Sequence, residues 1–347
     1  MNKASKKTAH QLSARSLFIW RAIQIAVWIV GASILFNLIF FPKLGIHLFW
    51  NILIPVAPAL LVVGVGIWRN VCPMASNALF ARHMGISKRK KLSISQSGKL
   101  NLIAVIALFL IVPLRHAFFD LNGFYTAMLI LSLGLIAVVT GFFFEWKSAW
   151  CSGLCPVHPV EKLYGLNHQL SLPNAHCDRC HRCVTPCPDS TPGITPFSSK
   201  KTKVHKVSGF LMVATFPGFV WGWFQVPDVD GISSFGQLLG IYKMPFLGML
   251  ASIVLYLVLN YFFKKKELVA IFSASAVSCY YWYRLPALFG FGLYPLDGVL
   301  VDLSGVLPSW IFTVLAYTTT LFFFWWILFK KPNKFSWVNR PVFAEKE

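Results

Sequence analysis

The chain has 347 residues, of which 56% are hydrophobic and only 13% charged, where a soluble domain carries about a quarter charged residues. Apolar residues gathered into long runs exclude a water-soluble fold and mark an integral membrane protein. The net charge of +20 would suit nucleic acid, but the basic residues are segregated along the chain as a membrane topology signal, so no nucleic acid is expected.

In chain order, residues 1–15 form a basic N-terminus with Lys3, Lys6, Lys7 and Arg15. An apolar helix is expected over 16–41, too long for a signal-peptide core and followed by no small-residue cleavage site, so it reads as a retained span. The turn Phe41-Pro-Lys-Leu-Gly leads into a second helix over 46–68. A basic loop, 69–99, holds Cys72-Pro73 and the run Lys88-Arg-Lys-Lys. Helices over 100–119 and 124–144, joined by a turn at Asp120, complete a four-helix membrane half, 16–144. The polar segment 145–206 carries Cys151, Cys155 and the cysteines from Cys177 to Cys187. Helices over 207–224, 246–264, 268–290 and 307–330 form a second membrane half, 207–330, before a basic tail, 331–347. Each is near the roughly 20 residues that cross a hydrocarbon core. The expected fold class is an all-α polytopic membrane protein of about eight transmembrane helices, with a small cytoplasmic ferredoxin-like iron–sulfur segment.

Charge then orients the chain. Most of the 32 Lys and Arg fall in the N-terminus, 69–99, 145–206, Lys264–Lys266 and the tail. The opposite loops hold Lys43 and Lys243 but also Asp120, Asp228, Asp230, Asp297 and Asp302. The positive-inside rule therefore puts both termini and the cysteine segment in the cytoplasm, where thiols stay reduced and available to metals.

Cys177, Cys180, Cys183 and Cys187 read C-x2-C-x2-C-x3-C, with Pro188 after the last. That is the spacing of the bacterial ferredoxin run for a [4Fe-4S] cluster. Zinc is the alternative, though zinc sites usually bring two separated cysteine pairs. Cys151 and Cys155 stand four apart, so on a helix both thiols face one way. Cys72 lies at the corresponding end of the second helix. A weak internal repeat relates Trp68-Arg-Asn-Val-Cys72-Pro73 to Cys151-Ser-Gly-Leu-Cys155-Pro156, with Trp68 in the place of Cys151. Such repeats often build a site at their shared interface.

A cube takes four cysteines, so the seven cysteines other than Cys279 fall one short of two cubes. Two clusters are the preferred arrangement. Cys177, Cys180 and Cys183 then hold one cube, completed by Cys72 or Cys155, while Cys187 crosses to join Cys151 and the remaining Cys-Pro thiolate at the other. His158 or a water fills the missing position, or that cluster has three irons. One cluster held by all four of Cys177–Cys187 is the simpler alternative. Cys279, mid-helix, reads as a small buried hydrophobe. His176 and His181 are expected to be exposed beside the ferredoxin run, and Arg179 and Arg182 to balance cluster charge. His47 and His116 fall near the outer ends of neighbouring helices, where the choice lies between haem or copper ligation and simple interfacial positions. For Arg284, costly in lipid, the choice lies between pairing with a quinone or an acidic group and merely snorkelling. Phe322–Trp326 is expected to face lipid. No nucleophile–base constellation or phosphate-binding glycine loop is present in the sequence.

On Cys151-Ser-Gly-Leu-Cys155-Pro156, Cys72-Pro73 and Cys177 to Pro188, the chain resembles the membrane polyferredoxin family typified by NapH, NosR and CcoG. The resemblance covers about residues 16–190. It implies a multi-pass protein of a prokaryotic inner membrane with cytoplasmic [4Fe-4S] clusters. It further implies electron exchange with a quinone pool or cytoplasmic donor and with a periplasmic redox protein, as a subunit of a respiratory complex. Reduction or insertion of copper or iron during assembly of a membrane oxidase is the alternative that the same resemblance implies. The chain departs from the fuller pattern in having one ferredoxin run and in lacking a cysteine four residues before Cys72. A transporter or scaffold with a merely structural metal site is the reading from another class.

Overall fold

A computed structural model describes residues 12–176, 202–229, 231–232, 234–295, 297–331, 333 and 338–339. The fold is all-α in its packing. Among the described residues, β-structure is limited to one two-residue parallel pair, β1 (Leu172–Pro173) with β2 (Val338–Asn339), and an isolated bridge from Lys90 to Phe144.

Helix α1 (Ala14–Phe40) begins where the Ser13 hydroxyl accepts the Ser16 N–H, the usual device for satisfying a first-turn donor. It buries few side chains and exposes Phe18, Trp28, Ile29, Val30 and Phe36, a surface that only lipid covers comfortably. After the short α2 (Pro42–Ile46), a π-helical turn His47–Leu53 leads into α3 (Ile54–Val71). Next, α4 (Pro73–His83) occupies part of what the sequence suggests is a loop. Its polar composition hides a helix whose Ala75, Ala78, Leu79 and Ala81 form one buried face against α6, and a Cβ on Gly141 of α6 would overlap the Ala78 carbonyl.

Helix α5 (Ile94–Ile111) starts at a Ser93/Gln96 capping box, six residues before the apolar run, and the 3-10 turn Pro113–His116 ends it. α6 (Gly123–Phe143) follows, and α7 (Val157–Tyr164) lies in the segment after it. The remaining helices are α8 (Lys203–Trp223), α9 (Phe235–Leu259), α10 (Lys265–Leu288) and α11 (Trp310–Phe324), the last continuing as a π-turn through Phe329. α9 starts well before 246 because Ser234 caps it and Pro245 sits inside it rather than at its start.

Six helices among the described residues are long and apolar enough to cross a membrane: Ala14–Phe40, Pro42–His83, Ile94–His116, Gly123–Phe143, Phe235–Leu259 and Trp310–Phe329. They mark a membrane-embedded protein in contact with lipid. The other two expected spans are helices as well, α8 with 21 residues and α10 with 24. Their composition differs because they occupy the middle of the bundle. Buried residues run along the whole of both, and α8 packs on α5, α9 and α10. Serines are tolerable there: Ser273 of α10 donates to the Leu163 carbonyl at 2.7 Å. The aromatic run near the end of the chain is split between environments. Phe322 and Trp325 are exposed, while Phe323 and Trp326 are buried against the core.

Gly218-Phe-Val-Trp-Gly222 of α8 meets Gly248 of α9 so closely that a Cβ on Gly218 would overlap the Gly248 carbonyl oxygen, and the converse holds for Gly248. This is the small-residue spacing that lets two membrane helices touch through their backbones. Gly218→Val is expected to force α8 and α9 apart and to lower the thermal midpoint in detergent strongly. Gly240→Ala in α9, with open space around it, should leave the midpoint nearly unchanged.

Candidate metal centre

Two chain reversals form one end of the bundle. Cys72 closes α3 with φ −55° and ψ 121°, and Pro73 opens α4. Cys155 closes a π-helical turn, Trp150–Leu154, with φ −64° and ψ 116°, and Pro156 caps α7. Proline restricts the residue before it to this extended region, so each Cys-Pro stops one helical run and starts another. The Cys72 N–H donates to the Trp68 carbonyl at 2.9 Å, and the Cys155 N–H to the Trp150 carbonyl at 2.9 Å. The structural counterpart of Trp68 is therefore Trp150 rather than Cys151. The π-turn adds one residue to the second motif, and that residue is Cys151. Such one-residue insertions are frequent at functional sites.

Cys72, Cys151 and Cys155 lie within electrostatic reach of one another. All four described cysteines, Cys279 included, are free thiols. Burial pushes the Cys155 thiol up to about 12, and the negative charges of Glu161 and Cys72 add to it. Burial also raises Cys151 well above the ordinary thiol range, opposed by the cationic charges of Lys147 and Arg69. The thiols are thus protonated at neutral pH unless a cation draws the protons off, as metal binding does. Among the described residues no three His, Cys, Asp or Glu converge on a single ion. Lys147 and Arg69, 1% and 4% exposed, supply positive charge that an anionic thiolate cluster needs in a buried setting. In these respects the residues present fit an iron–sulfur cluster.

A buried clasp ties the two Cys-Pro motifs together. Arg69, three residues before Cys72, lies 2.5 Å from Glu161 and 3.0 Å from the Nδ1 of His158, which is three residues after Cys155. His158 Nδ1 is also 3.3 Å from Glu161. Burial lowers the His158 ring to about 4, so it is neutral, the form a metal ligand requires. Burial raises the Glu161 carboxyl, but the Arg69 charge and the His158 contact outweigh it and leave the group below its ordinary value.

Asn70 holds the other approach to this end. Its Nδ2 donates to the Pro173 carbonyl at 3.0 Å, its Oδ1 accepts the Ala175 N–H at 3.0 Å, and its own carbonyl accepts Gln24 Nε2 at 2.8 Å. One side chain thereby fixes residues 173–175 beside Cys72, just ahead of Cys177. His176, expected to be exposed, is 1% exposed, because its N–H is taken by Asn174 Oδ1 at 2.9 Å and the chain is folded inward there. Cys177, Cys180, Cys183, Cys187, Arg179, His181 and Arg182 lie outside the described residues. Asn70→Ala removes both bonds to 173–175. It is expected to cost about 1–3 kcal/mol for the buried groups left unbonded and to increase protease cleavage after the 170s, read by limited proteolysis.

His47 and His116 sit at the opposite end. The 18 residues of α3, at 1.5 Å each, separate the two ends by roughly 27 Å. His47 Nδ1 contacts Asn51 Nδ2 at 2.9 Å, and both His116 nitrogens are engaged, with Asp228 and the Trp223 carbonyl. Neither histidine joins the cysteines, and His116 has no nitrogen left for haem or copper while these bonds hold. Arg284 is buried, and the partners of its Nη2 are neutral oxygens, the Trp50 carbonyl and Asn51 Oδ1, with Asp120 and Asp228 acting on it by charge. Cys279 is part-buried against the core cluster, consistent with a packing role.

Sequence reasoning passed over Arg69, Asn70, Lys147 and Glu161. Their one signal was position: Arg69 and Asn70 stand three and two residues before Cys72, and Lys147 three residues before the π-turn. Comparison with protein-family models, with curated proteins and with solved structures finds no match to this chain.

Proposed function

We propose that the chain is a membrane-bound iron–sulfur electron-transfer protein of the NapH/NosR/CcoG type. It would carry [4Fe-4S] clusters, two on the preferred arrangement, at the end of the bundle that holds Cys72, Cys151 and Cys155. The observation that carries this reading is the Asn70 bridge. It fixes Pro173 and Ala175, a few residues ahead of the Cys177–Cys187 run, to the helix that ends at Cys72, which supports a shared site for the seven candidate ligands. The bound clusters supply one-electron exchange. The protein's residues do the rest: Cys72, Cys151, Cys155, Cys177, Cys180, Cys183 and Cys187 bind, Lys147 and Arg69 offset negative charge, and the Arg69–Glu161 clasp sets the spacing between the two Cys-Pro turns.

On this reading α8 and α10 join the six apolar helices as spans, giving eight. Both termini and the cysteine end then face the cytoplasm of a prokaryotic inner membrane, in line with the placement of Lys and Arg. Electrons pass between a quinone pool or cytoplasmic donor and a periplasmic respiratory acceptor, within a larger complex. In anaerobic membranes, a cluster EPR signal is expected to appear or vanish on addition of a quinol analogue. A signal indifferent to quinol, with turnover of cupric or ferric ion instead, would replace this reading with metal reduction for oxidase assembly.

A further inference from the structure

The far end of the bundle holds a half-open cavity of about 40 Å³ lined by His116, Asp228, Asp297, Arg284, Tyr283 and Tyr294, among others. One water needs roughly 10–15 Å³ of such space, so the cavity has room for a few. We propose that it is a proton-exchange site, in which cavity water takes up and returns a proton shared by His116 and Asp228. The inference does not depend on the clusters at the other end.

His116 Nε2 is 3.1 Å from the Trp223 carbonyl, and Nδ1 is 2.7 Å from Asp228 Oδ1. A carbonyl oxygen only accepts, so Nε2 carries a hydrogen. A second hydrogen must lie between Nδ1 and Asp228, because two bare acceptors do not approach to that distance. The pair is therefore imidazolium with carboxylate, or imidazole with carboxylic acid. Either way it holds one proton more than a neutral ring beside an ionised Asp228. When that proton moves to a cavity water, imidazole is left facing carboxylate, hydronium leaves, and no oxidant or reductant takes part.

The surrounding charges favour this occupant over others. From the turn after α5, Arg115 is bidentate to Asp120 at 3.1 and 2.8 Å and lies over the rings of Trp50 and Trp223. From α10, Arg284 is 3% exposed, and its Nε has no hydrogen-bond partner among the described residues; Tyr280 and Tyr283 stand on the same helix. Asn51, which accepts from Arg284, also contacts His47. From the loop before α11, Asp297 Oδ2 accepts the Asp228 N–H at 2.9 Å, and Tyr294 donates to the Gln225 carbonyl. From α9, Tyr242 donates to the Leu110 carbonyl, and Lys243 is exposed. An anion entering the cavity meets Asp228, Asp297 and Asp120; a metal cation meets the Arg284 guanidinium. Water and protons meet neither objection. Asp297 is a second proton carrier at the same place, since burial pushes its carboxyl above the ordinary range and the Asp228 charge adds to this.

The test is infrared difference spectroscopy of the full chain in lipid vesicles, titrated between about pH 5 and pH 8 in water and in D2O. The expected result is a band of the pair, carboxyl C=O or imidazolium ring, that changes in that window, shifts on transfer to D2O within the mixing time, and is lost in Asp228→Asn. His116→Gln should remove or shift it, and Asp297→Asn should shift it by less. A wild-type spectrum in which neither band changes across the window overturns the proposal without recourse to variants. So does a band that persists unchanged in both Asp228→Asn and His116→Gln.

Discussion

Glu161→Gln is expected to destabilise the protein by about 3–5 kcal/mol, the usual consequence of stranding one charge of a buried ion pair. Arg69 is 4% exposed and its guanidinium lies 2.5 Å from Glu161, so it cannot turn to water for compensation. Because the pair joins the helix before Cys72 to the helix after Cys155, the loss should also separate the two Cys-Pro turns and lower the iron content. A double variant, Arg69→Met with Glu161→Leu, should recover most of the stability, since apolar replacement of a whole buried pair is often neutral or better. It should not recover the iron, because the spacing the pair imposes is gone. Thermal denaturation and iron assay of the three proteins separate the two effects.

The same clasp makes the protein acid-sensitive. The His158 ring is lowered from 6.5 to about 4 by burial, so between those values the unfolded chain binds a proton that the folded chain does not. Stability is fully present above pH 6.5 and falls as pH drops toward 4, by on the order of 3 kcal/mol from this group. Glu161, lowered below its ordinary value, adds stability that is present above the unfolded carboxylate range and is lost as pH falls through its folded value. Metal-free protein should therefore show a thermal midpoint that declines below about pH 6.5, with the decline above pH 4 reduced in His158→Gln.

The second large effect concerns the cysteines. On the two-cluster arrangement, Cys72→Ser, Cys151→Ser and Cys155→Ser each remove a ligand from a cube of four irons. Iron should fall by up to about half, with one EPR species altered or lost and the other kept. Cys187→Ala tests the crossover between motifs. A first cube retained beside a lost second one is expected; loss of all iron–sulfur signal as one species would mean a single cluster on Cys177–Cys187.

Much of the membrane architecture was legible in the sequence because lipid imposes a length and an apolarity that no loop satisfies. The helices at Ala14–Phe40 and Gly123–Phe143 fall within a residue or two of the expected 16–41 and 124–144. Legibility failed where packing, rather than lipid, decides. The α4 helix reads as a polar loop because its buried face is built of small residues. The start of α9 was hidden by Pro245, a helix breaker in water that the bundle accommodates. At the candidate site, Cys72, Cys151 and Cys155 announced themselves by type and spacing. The clasp of Arg69, His158 and Glu161 did not, because its members lie about 90 residues apart in sequence and the basic member reads as a topology signal. Register also escaped: aligned on Cys-Pro, Trp68 faces Cys151, and only the π-turn shows that Trp150 is its counterpart.

The most direct test of the central claim is iron, acid-labile sulfide and zinc per chain on anaerobically purified full-length protein, with EPR before and after dithionite. About seven or eight irons with matching sulfide and a signal that appears or changes on reduction are expected. About four irons would leave a single cube and detach Cys72, Cys151 and Cys155 from it. Zinc without sulfide would contradict the iron–sulfur reading outright and make the cysteine end a structural metal site.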